Sequence, residues 1–187
     1  DGQPRRDGAS SIEALVAQIA PSQLVTEPGR MASLAHLEST QLVDRDALLA
    51  RVTSPQAAVL ASEWSMDPEQ IAILLFTSGT TGPPKAAVLR HKHLVSYILG
   101  SVEFMSAAEE DAALVCVPPY HIAGLANTIT SVYSTRRIRY LPAFEPHAWL
   151  DAVRADAITH AFLVPTMLSR VVDALDGAVV EGTALRA

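Results

Sequence analysis

Two uninterrupted apolar runs stand out in a chain whose apolar residues are otherwise spaced mainly for helices. The first run is Ile71–Phe76 and the second is Ala112–Val117. Runs of this length without polar alternation are typical of strands that are buried on both faces of a sheet. Turn-forming residues follow each run, Thr77–Gly82 after the first and Pro118–Pro119 after the second. We therefore predict two buried strands, each of which ends in a loop.

Helices and shorter strands are predicted on either side of these runs. Helices are predicted over residues 10–20, 44–52, 94–102, 122–134, 146–155 and 166–175, several with apolar residues at i, i+3 and i+4. Short strands are predicted at 24–26, 42–43, 138–141 and 161–164, and 86–89 could return as the second strand of a hairpin. Strands that alternate with helices predict an α/β fold with a largely parallel sheet flanked by helices.

Local signals add detail to these elements. Ser10 and Glu13 have the spacing of a capping box, which predicts that the first helix begins at Ser10, and Pro21 is expected to stop it. The charged run Glu109–Asp111 is expected to be a solvated turn. Arg136–Arg139 alternates basic and apolar residues, which favours a solvated strand end over a nucleic-acid site.

Composition excludes several classes of function. The 187 residues are 49% hydrophobic and 18% charged, which is typical of a globular protein. A net charge of −6 gives no electrostatic case for binding nucleic acid. The single cysteine, Cys116, lies in an apolar run, which predicts a core residue and a reducing, cytoplasmic location. No apolar run approaches the ~18 residues of a membrane helix. His91 and His93 lie two residues apart, which turns their side chains to different faces of a helix, so they do not predict a metal site.

The loop after the first apolar run has the chemistry of an anion site. Thr77–Gly82 combines hydroxyl donors with glycines that can take positive φ, and Lys85 adds a mobile positive charge. Successive backbone N–H groups in such a loop can form a concave nest for an anion. The glycine and lysine spacing is not that of a P-loop. A plain surface turn is the alternative, but a polyphosphate is the ligand that this combination suits best.

A second candidate site follows the second apolar run. Tyr120 and His121 lie where a predicted strand gives way to a predicted helix, and Gly124 follows within the helix. Ligands of open α/β sheets bind at the carboxyl ends of the strands. The aromatic ring and the histidine could therefore stack on a ligand or contact a carboxylate, whereas position alone would favour a structural histidine.

The string TSGTTGPPK at Thr77–Lys85 closely resembles the signature of the adenylate-forming superfamily. The segment Pro119–Gly124 resembles that superfamily's acyl-site motif in acyl- and aryl-CoA synthetases, and Val164–Thr166 resembles another of its strand-to-helix passages. The resemblance implies that ATP phosphates bind Thr77, Ser78, Gly79, Thr80, Thr81, Gly82 and Lys85. It implies an acyl site at Tyr120, His121 and Gly124, with Mg²⁺ held by the ATP phosphates and Thr80 as a candidate protein contact.

The resemblance also implies a reaction, in which ATP activates a fatty or aryl carboxylic acid to acyl-AMP and CoA then accepts the acyl group. His121 replaces the aspartate that amino-acid-activating relatives carry, so the acid is expected to lack an α-amino group. Two alternatives remain open: an adenylation domain that loads a carrier protein, and a non-catalytic nucleotide-binding module. Oligomeric state is not predicted.

The extent of the resemblance predicts a partial domain. Residues 66–187 carry the motifs, residues 1–65 match the large N-terminal domain only weakly, and the C-terminal domain with its catalytic lysine is expected to be absent. The chain is therefore expected to be a fragment that is inactive alone. Ala86 stands where the family usually has glycine; if positive φ is needed there, it would strain the loop by about 1 kcal/mol.

Overall fold

The computed structural model describes residues 8–55, 65–77, 85–179 and 183–186, and the chain divides into two compact units. The first unit spans residues 1–64 and the second spans residues 65–187. Within the described ranges, no helix combines the length and the apolar character that crossing a membrane requires.

The first unit contains a pair of parallel strands accompanied by helices. Its elements are α1 (Gly8–Ile19), β1 (Gln23–Thr26), a 3₁₀ turn (Pro28–Arg30), α2 (Met31–Leu34), β2 (Gln41–Asp44) and α3 (Arg45–Val52). Strands β1 and β2 pair in parallel, from Gln23 opposite Gln41 to Thr26 opposite Asp44. The Asp44 carboxylate caps α3 by accepting hydrogen bonds from the N–H groups of Asp46 and Ala47. The 3₁₀ turn and α2 were not predicted from the sequence.

The predicted start of the first helix is wrong, whereas its predicted end is confirmed. Helix α1 already includes Gly8, so Ser10 lies inside the helix and cannot be its N-cap. The helix ends at Ile19, and Ala20 then takes a φ of 44° before Pro21. A left-handed residue followed by proline is a common way to end a helix.

The second unit carries the motifs and most of the core. Its elements are β3 (Ile71–Thr77), β4 (Lys85–Arg90), α4 (His91–Ser101), β5 (Ala112–Val115), α5 (Ile122–Tyr133), β6 (Arg137–Tyr140), α6 (Pro146–Ala155), β7 (His160–Ala161) and α7 (Pro165–Leu175). This order confirms the predicted α/β fold. The strand predicted at 161–164 is shorter than expected, because only His160 and Ala161 pair with a neighbour.

The parallel sheet has the strand order β6-β5-β7, with β5 in the centre. The first three residues of β5 are 0% exposed, which confirms the prediction that the second apolar run is a buried strand. Helices α6 and α7 cover the sheet with Trp149, Val153 and Val171. Cys116 belongs to the same core, and its burial raises the pKa of the thiol, as expected of a packing residue.

The first apolar run is a strand, but the prediction that it is buried on both faces is wrong. Strand β3 pairs antiparallel with β4, which confirms the predicted hairpin. Ile71 is 48% exposed and the following residues through Phe76 are half-buried. In the described part of the chain β4 is the only strand that pairs with β3, so the hairpin lacks the layers on both faces that an apolar run suggests.

The prediction that Asp111 lies in a solvated turn is also wrong. The residue is 6% exposed, and Arg186 Nη1 lies 2.8 Å from its Oδ1 atom. Burial raises the pKa of Asp111, but the Ala108 N–H group and the Arg186 and His160 charges outweigh it and lower the pKa below its ordinary value. Asp111 therefore serves as a buried ion-pair partner at the start of β5.

Helix α6 ends in a left-handed turn that lacks the usual glycine. Ala157 takes a φ of 47°, and the Ile158 N–H group donates to the Val153 carbonyl at 3.2 Å, which is the long hydrogen bond of a Schellman motif. Ile158 and Val153 are both 0% exposed, so the apolar contact that accompanies this motif is present.

We expect Ala157→Gly to stabilise the protein by about 0.5–1 kcal/mol, because glycine takes positive φ without a Cβ penalty. Ala155→Gly is the matched control, since Ala155 is also exposed but helical, and it should destabilise by about 1 kcal/mol. Chemical denaturation of the two variants measures both values. Equal destabilisation by both substitutions would show that the left-handed conformation of Ala157 costs nothing.

Candidate active site

The hairpin of β3 and β4 holds the two ends of the predicted phosphate loop side by side. Thr77 is the last residue of β3 and pairs directly with Lys85, the first residue of β4. The loop residues Ser78, Gly79, Thr80, Thr81 and Gly82 lie outside the described residues. Their predicted role in binding phosphate therefore stays a prediction, while the framework that anchors the loop is established.

Ala86 does not strain this framework. It pairs with Phe76 inside the antiparallel ladder of β3 and β4, and it is not one of the non-glycine residues with positive φ. Because a strand conformation suits alanine, the expected cost of replacing glycine here does not arise.

Tyr120 and His121 lie on a tight turn at the carboxyl end of the sheet. The His121 N–H group donates to the Pro118 carbonyl at 3.0 Å, which closes a four-residue turn between β5 and α5. His121 then serves as the N-cap residue of α5 with an extended backbone. The Tyr120 and His121 rings contact each other at a centroid distance of 4.9 Å, and Tyr120 is 67% exposed. Both rings are therefore accessible to a ligand.

Gly124 brings the first turn of α5 against the backbone that follows β5. A Cβ atom at this position would lie 2.4 Å from the Val117 carbonyl oxygen and 2.5 Å from that of Pro118. Both neighbours are backbone atoms, so no side-chain movement could relieve the clash. Gly124 was predicted to bind substrate; the structure shows that it has a packing role, which fixes the approach of α5 to the sheet.

A cavity of about 330 Å³ lies against α5, beginning one residue after His121. Residues of α5 form one wall, Tyr97 on α4 forms another, and Phe162 after β7 forms a third. The α5 residues in the wall are Ile122, Ala123, Ala126, Asn127 and Thr130. The wall is therefore mostly apolar with a few polar groups, which is the usual character of a small-molecule site.

The site predicted at the turn before α5 stays a prediction, and the residues that line the cavity were not predicted. Tyr120, His121 and Gly124 adjoin the cavity along the chain without forming its wall. Ala123, Ala126, Asn127 and Thr130 are spaced three, four and seven apart, so they share one helix face. That spacing was readable from the sequence. The contributions of Tyr97 and Phe162 were not, because they depend on how α4 and β7 pack.

A second cavity, of about 370 Å³, lies between residues 65–68 and the first turns of α4. Its wall includes Met66, His91 and Lys92, and Lys92 Nζ donates to a Glu69 carboxylate oxygen at 2.6 Å. The predicted site residues that the structure describes line neither cavity, but the wall of the α5 cavity begins directly after His121, so the α5 cavity is the better candidate for substrate.

The sequence model of the family described as AMP-binding enzyme matches residues 8–186. The chain belongs to this family. The match confirms the resemblance to adenylate-forming enzymes and extends it over residues 8–65, where the sequence motifs had given little support.

Several curated relatives of the AMP-binding chain are CoA ligases. A 2-succinylbenzoate–CoA ligase of Enterococcus faecalis is 28% identical over 162 residues, which cover 86% of this chain and 33% of that protein. An indoleacetate–CoA ligase of Aromatoleum aromaticum is 32% identical over 106 residues, which cover 56% of this chain and 21% of that protein. The chain thus spans between about a fifth and a third of the length of these relatives.

Two solved structures illustrate the fold that this chain shares. The N-terminal domain of FACL13 from Mycobacterium tuberculosis matches with a TM-score of 0.78 and 18% identity, over 97% of this chain and 47% of that chain. ATP-bound MatB from Rhodopseudomonas palustris matches with a TM-score of 0.72 and 23% identity, over 89% of this chain and 34% of that chain. These likenesses confirm the predicted fold.

We expect Gly124→Ala to destabilise the protein by about 1–3 kcal/mol, because the added methyl group must push α5 away from the Val117 and Pro118 backbone. Gly100→Ala on α4 is the matched control, since a Cβ there meets nothing within 4 Å and alanine favours helices. Thermal unfolding compares the two variants. A melting temperature of Gly124→Ala equal to that of the unsubstituted protein would contradict the close approach of α5 to the backbone after β5.

Proposed function

We propose that this chain is part of an acid–thiol ligase that uses ATP to activate a carboxylic acid and then transfers the acyl group to CoA. The observation that carries the proposal is the α5 cavity, which opens beside the His121 turn at the carboxyl end of the parallel sheet. Helix α4 follows β4 directly and contributes Tyr97 to the cavity, so the hairpin and the cavity share a structural element.

In the proposed reaction the acid's carboxylate oxygen attacks the α-phosphorus of ATP and pyrophosphate leaves, which gives an acyl adenylate. The CoA thiol then attacks the acyl carbon and AMP leaves. Negative charge builds on the departing pyrophosphate, and preorganised donors stabilise such charge most effectively. We assign this task to the N–H groups and hydroxyls of Thr77–Gly82 and to the Lys85 ammonium group.

The framework of the hairpin supports this assignment. Because Thr77 and Lys85 pair across the two strands, both ends of the loop are fixed at the same edge of the hairpin. Lys85 is exposed, so a polyphosphate can reach its side chain. Mg²⁺ held by the phosphate oxygens would supply Lewis-acid stabilisation, with Thr80 as a candidate protein contact.

We propose an aryl acid as the substrate, in preference to a long fatty acid. The cavity of about 330 Å³ lies at the small end of the range for ligand pockets, and Tyr97 and Phe162 offer aromatic walls. Relatives of this chain are ligases for 2-succinylbenzoate and indoleacetate, and another is a feruloyl-CoA synthase; these acids share an aromatic ring. The uncharged cavity wall is consistent with an acid that lacks an α-amino group.

The extent of the domain is also a proposal. We assign residues 1–187 to part of a large N-terminal AMP-binding domain, with residues 66–187 as the portion that carries the motifs. We expect residues 1–187 by themselves to show no acid-dependent ATP–pyrophosphate exchange. Robust exchange by this chain alone would contradict that expectation.

Transfer of the acyl group to a carrier protein is the second candidate function. The fold is also similar to McyG A-PCP complexed with phenylalanyl-adenylate, with a TM-score of 0.70 and 18% identity, over 92% of this chain and 28% of that chain. Free CoA is the favoured acceptor because the curated relatives are CoA ligases or synthases. A comparison of thioester formation with CoA and with a phosphopantetheinyl carrier domain decides between the two acceptors. ATP binding without any adenylation would indicate a non-catalytic module.

The test of the proposed function is Lys85→Ala in the full-length enzyme. We expect acid-dependent ATP–pyrophosphate exchange to fall by roughly 100-fold, because the variant loses a charged group that stabilises the leaving pyrophosphate. Lys92→Ala is the matched control, since Lys92 is an exposed lysine on α4 that pairs with Glu69, and exchange should be unchanged. Single-turnover adenylation at the wild-type rate in Lys85→Ala would refute the role assigned to Lys85.

A further inference from the structure

We propose that Arg186 fastens residues 183–186 to the amino ends of β5 and β7 through contacts that we call the Arg186 latch, and that this latch opens when the His160 imidazole takes up a proton. The latch lies at the amino ends of the strands, whereas the candidate active site lies at their carboxyl ends. It does not depend on the proposed ligase reaction.

Arg186 reaches both strands, one through its backbone and the other through its side chain. Its N–H group donates to the Thr159 carbonyl at 2.9 Å, directly before β7. Its Nη1 atom lies 2.8 Å from Asp111 Oδ1 and its Nη2 atom lies 3.1 Å from Glu110 Oε1, directly before β5. Asp111 is buried and Glu110 is exposed. Because water screens a buried ion pair less than an exposed one, Asp111 is the main partner in the latch.

Asp111 and His160 lie on the same face of the parallel sheet. Side chains two residues apart in a strand share a face, so Asp111 faces as Ala113 does. His160 is the residue of β7 that pairs with Ala113. The two side chains are therefore neighbours at the amino ends of adjacent strands, where the charges of Asp111, Arg136 and Arg186 all act on the His160 ring.

The charges around His160 are balanced only while its imidazole is neutral. The Asp111 side chain is 7% exposed, and the guanidinium charges of both Arg136 and Arg186 act on it. Arg136 Nε is itself buried and has no hydrogen-bond partner among the described residues. A protonated His160 would add a third positive charge to a cluster with one buried carboxylate. Burial and the two guanidinium groups therefore lower the pKa of His160, and Asp111 opposes them only in part.

Thr159 connects the His160 ring to the latch. Its hydroxyl oxygen lies 2.8 Å from His160 Nδ1 and accepts a hydrogen bond from the Ala112 N–H group at 2.9 Å. The hydroxyl can donate to Nδ1 of a neutral ring, whereas a protonated ring must donate to the hydroxyl. The hydroxyl proton then turns to the Ala112 carbonyl at 3.1 Å. Because the Thr159 carbonyl accepts the Arg186 N–H group, the ring and the latch share this residue.

The direction of the pH dependence follows from these charges. In the open latch His160 is solvated and titrates near the ordinary histidine pKa of about 6.5. Its pKa is lower in the closed latch, so the open form takes up the proton more readily. The latch therefore has its full strength above about pH 6.5 and weakens as the pH falls below that value. The pKa of Asp111 lies below its ordinary value of 3.8, so its carboxylate stays charged in this range.

Hydrogen exchange of the Arg186 amide in the full-length protein measures opening of the latch. The protection factor, corrected for intrinsic exchange, is compared at about pH 7.5 and about pH 5.5. We expect it to fall several-fold, with about tenfold as the limit for a single proton. At both pH values it should be smaller than the protection factors of the amides in β5, because the latch opens without unfolding of the central strand.

His160→Asn is the decisive variant. The asparagine side-chain oxygen can accept the Thr159 hydroxyl as Nδ1 does, but asparagine takes up no proton. We expect wild-type protection of the Arg186 amide at the higher pH and no fall at the lower pH. His147→Asn on α6 is the matched control, since His147 is exposed and its charge is not among those that act on His160. This variant should keep the fall.

Asp111→Asn tests the latch itself, because it removes the buried carboxylate while keeping the size of the side chain. Protection of the Arg186 amide should then fall by about tenfold even at the higher pH. Wild-type protection in this variant would show that the Asp111 contact does not hold the segment and would overturn the proposal.

The remaining outcomes decide the role of His160. Equal protection of the Arg186 amide at both pH values in the wild-type protein, or the same fall in His160→Asn, would overturn it. Protection equal to that of the β5 amides would show global unfolding in place of a latch. If His160→Asn fails to fold, NMR titration of the His160 ring in the wild-type protein decides: a midpoint below about pH 6.5 supports the proposal, and a midpoint at or above it overturns the proposal. Neither measurement requires ligase activity.

Discussion

The close approach of Gly124 to the backbone of Val117 and Pro118 is the contact on which the candidate site depends. It allows the first turn of α5 to pack against the segment that follows β5, at a distance that any side chain would prevent. Because β5 is the buried central strand of the sheet, α5 takes its position from the centre of the core. The His121 turn and the cavity wall on α5 both follow from this placement.

The proposed reaction requires a polyphosphate and a carboxylic acid to be held in fixed relation, and the second unit contains a separate candidate support for each. The hairpin of β3 and β4 fixes both ends of the hydroxyl- and glycine-rich loop, whereas α5, Tyr97 and Phe162 form the apolar cavity. Holding two reactants in a productive geometry accounts for a large part of catalysis in such reactions. Helix α4 joins the two supports, since it follows β4 and carries Tyr97 into the cavity.

Sequence patterns predicted the elements well where one local signal dominated. The apolar run at Ala112–Val117 predicted the central strand, and the signature from Thr77 to Lys85 predicted the family. Predictions failed where the outcome depended on distant packing. Asp111 was predicted to be a surface charge, but the fold places Arg186 against it. Strand β3 was predicted to be buried on both faces, but β4 is the strand with which it pairs. The cavity wall was missed in part because Phe162 reaches it only through the pairing of β7 with β5.

The central claim is that the α5 cavity holds the acid. A crystal structure of the proposed full-length ligase with a non-hydrolysable aryl-adenylate analogue tests it most directly. The account predicts that the aryl group lies against Ala123, Ala126 and Asn127, between Tyr97 and Phe162, with the phosphate analogue directed toward the loop between Thr77 and Lys85. An aryl group bound elsewhere, for example in the cavity between residues 65–68 and the start of α4, would contradict it.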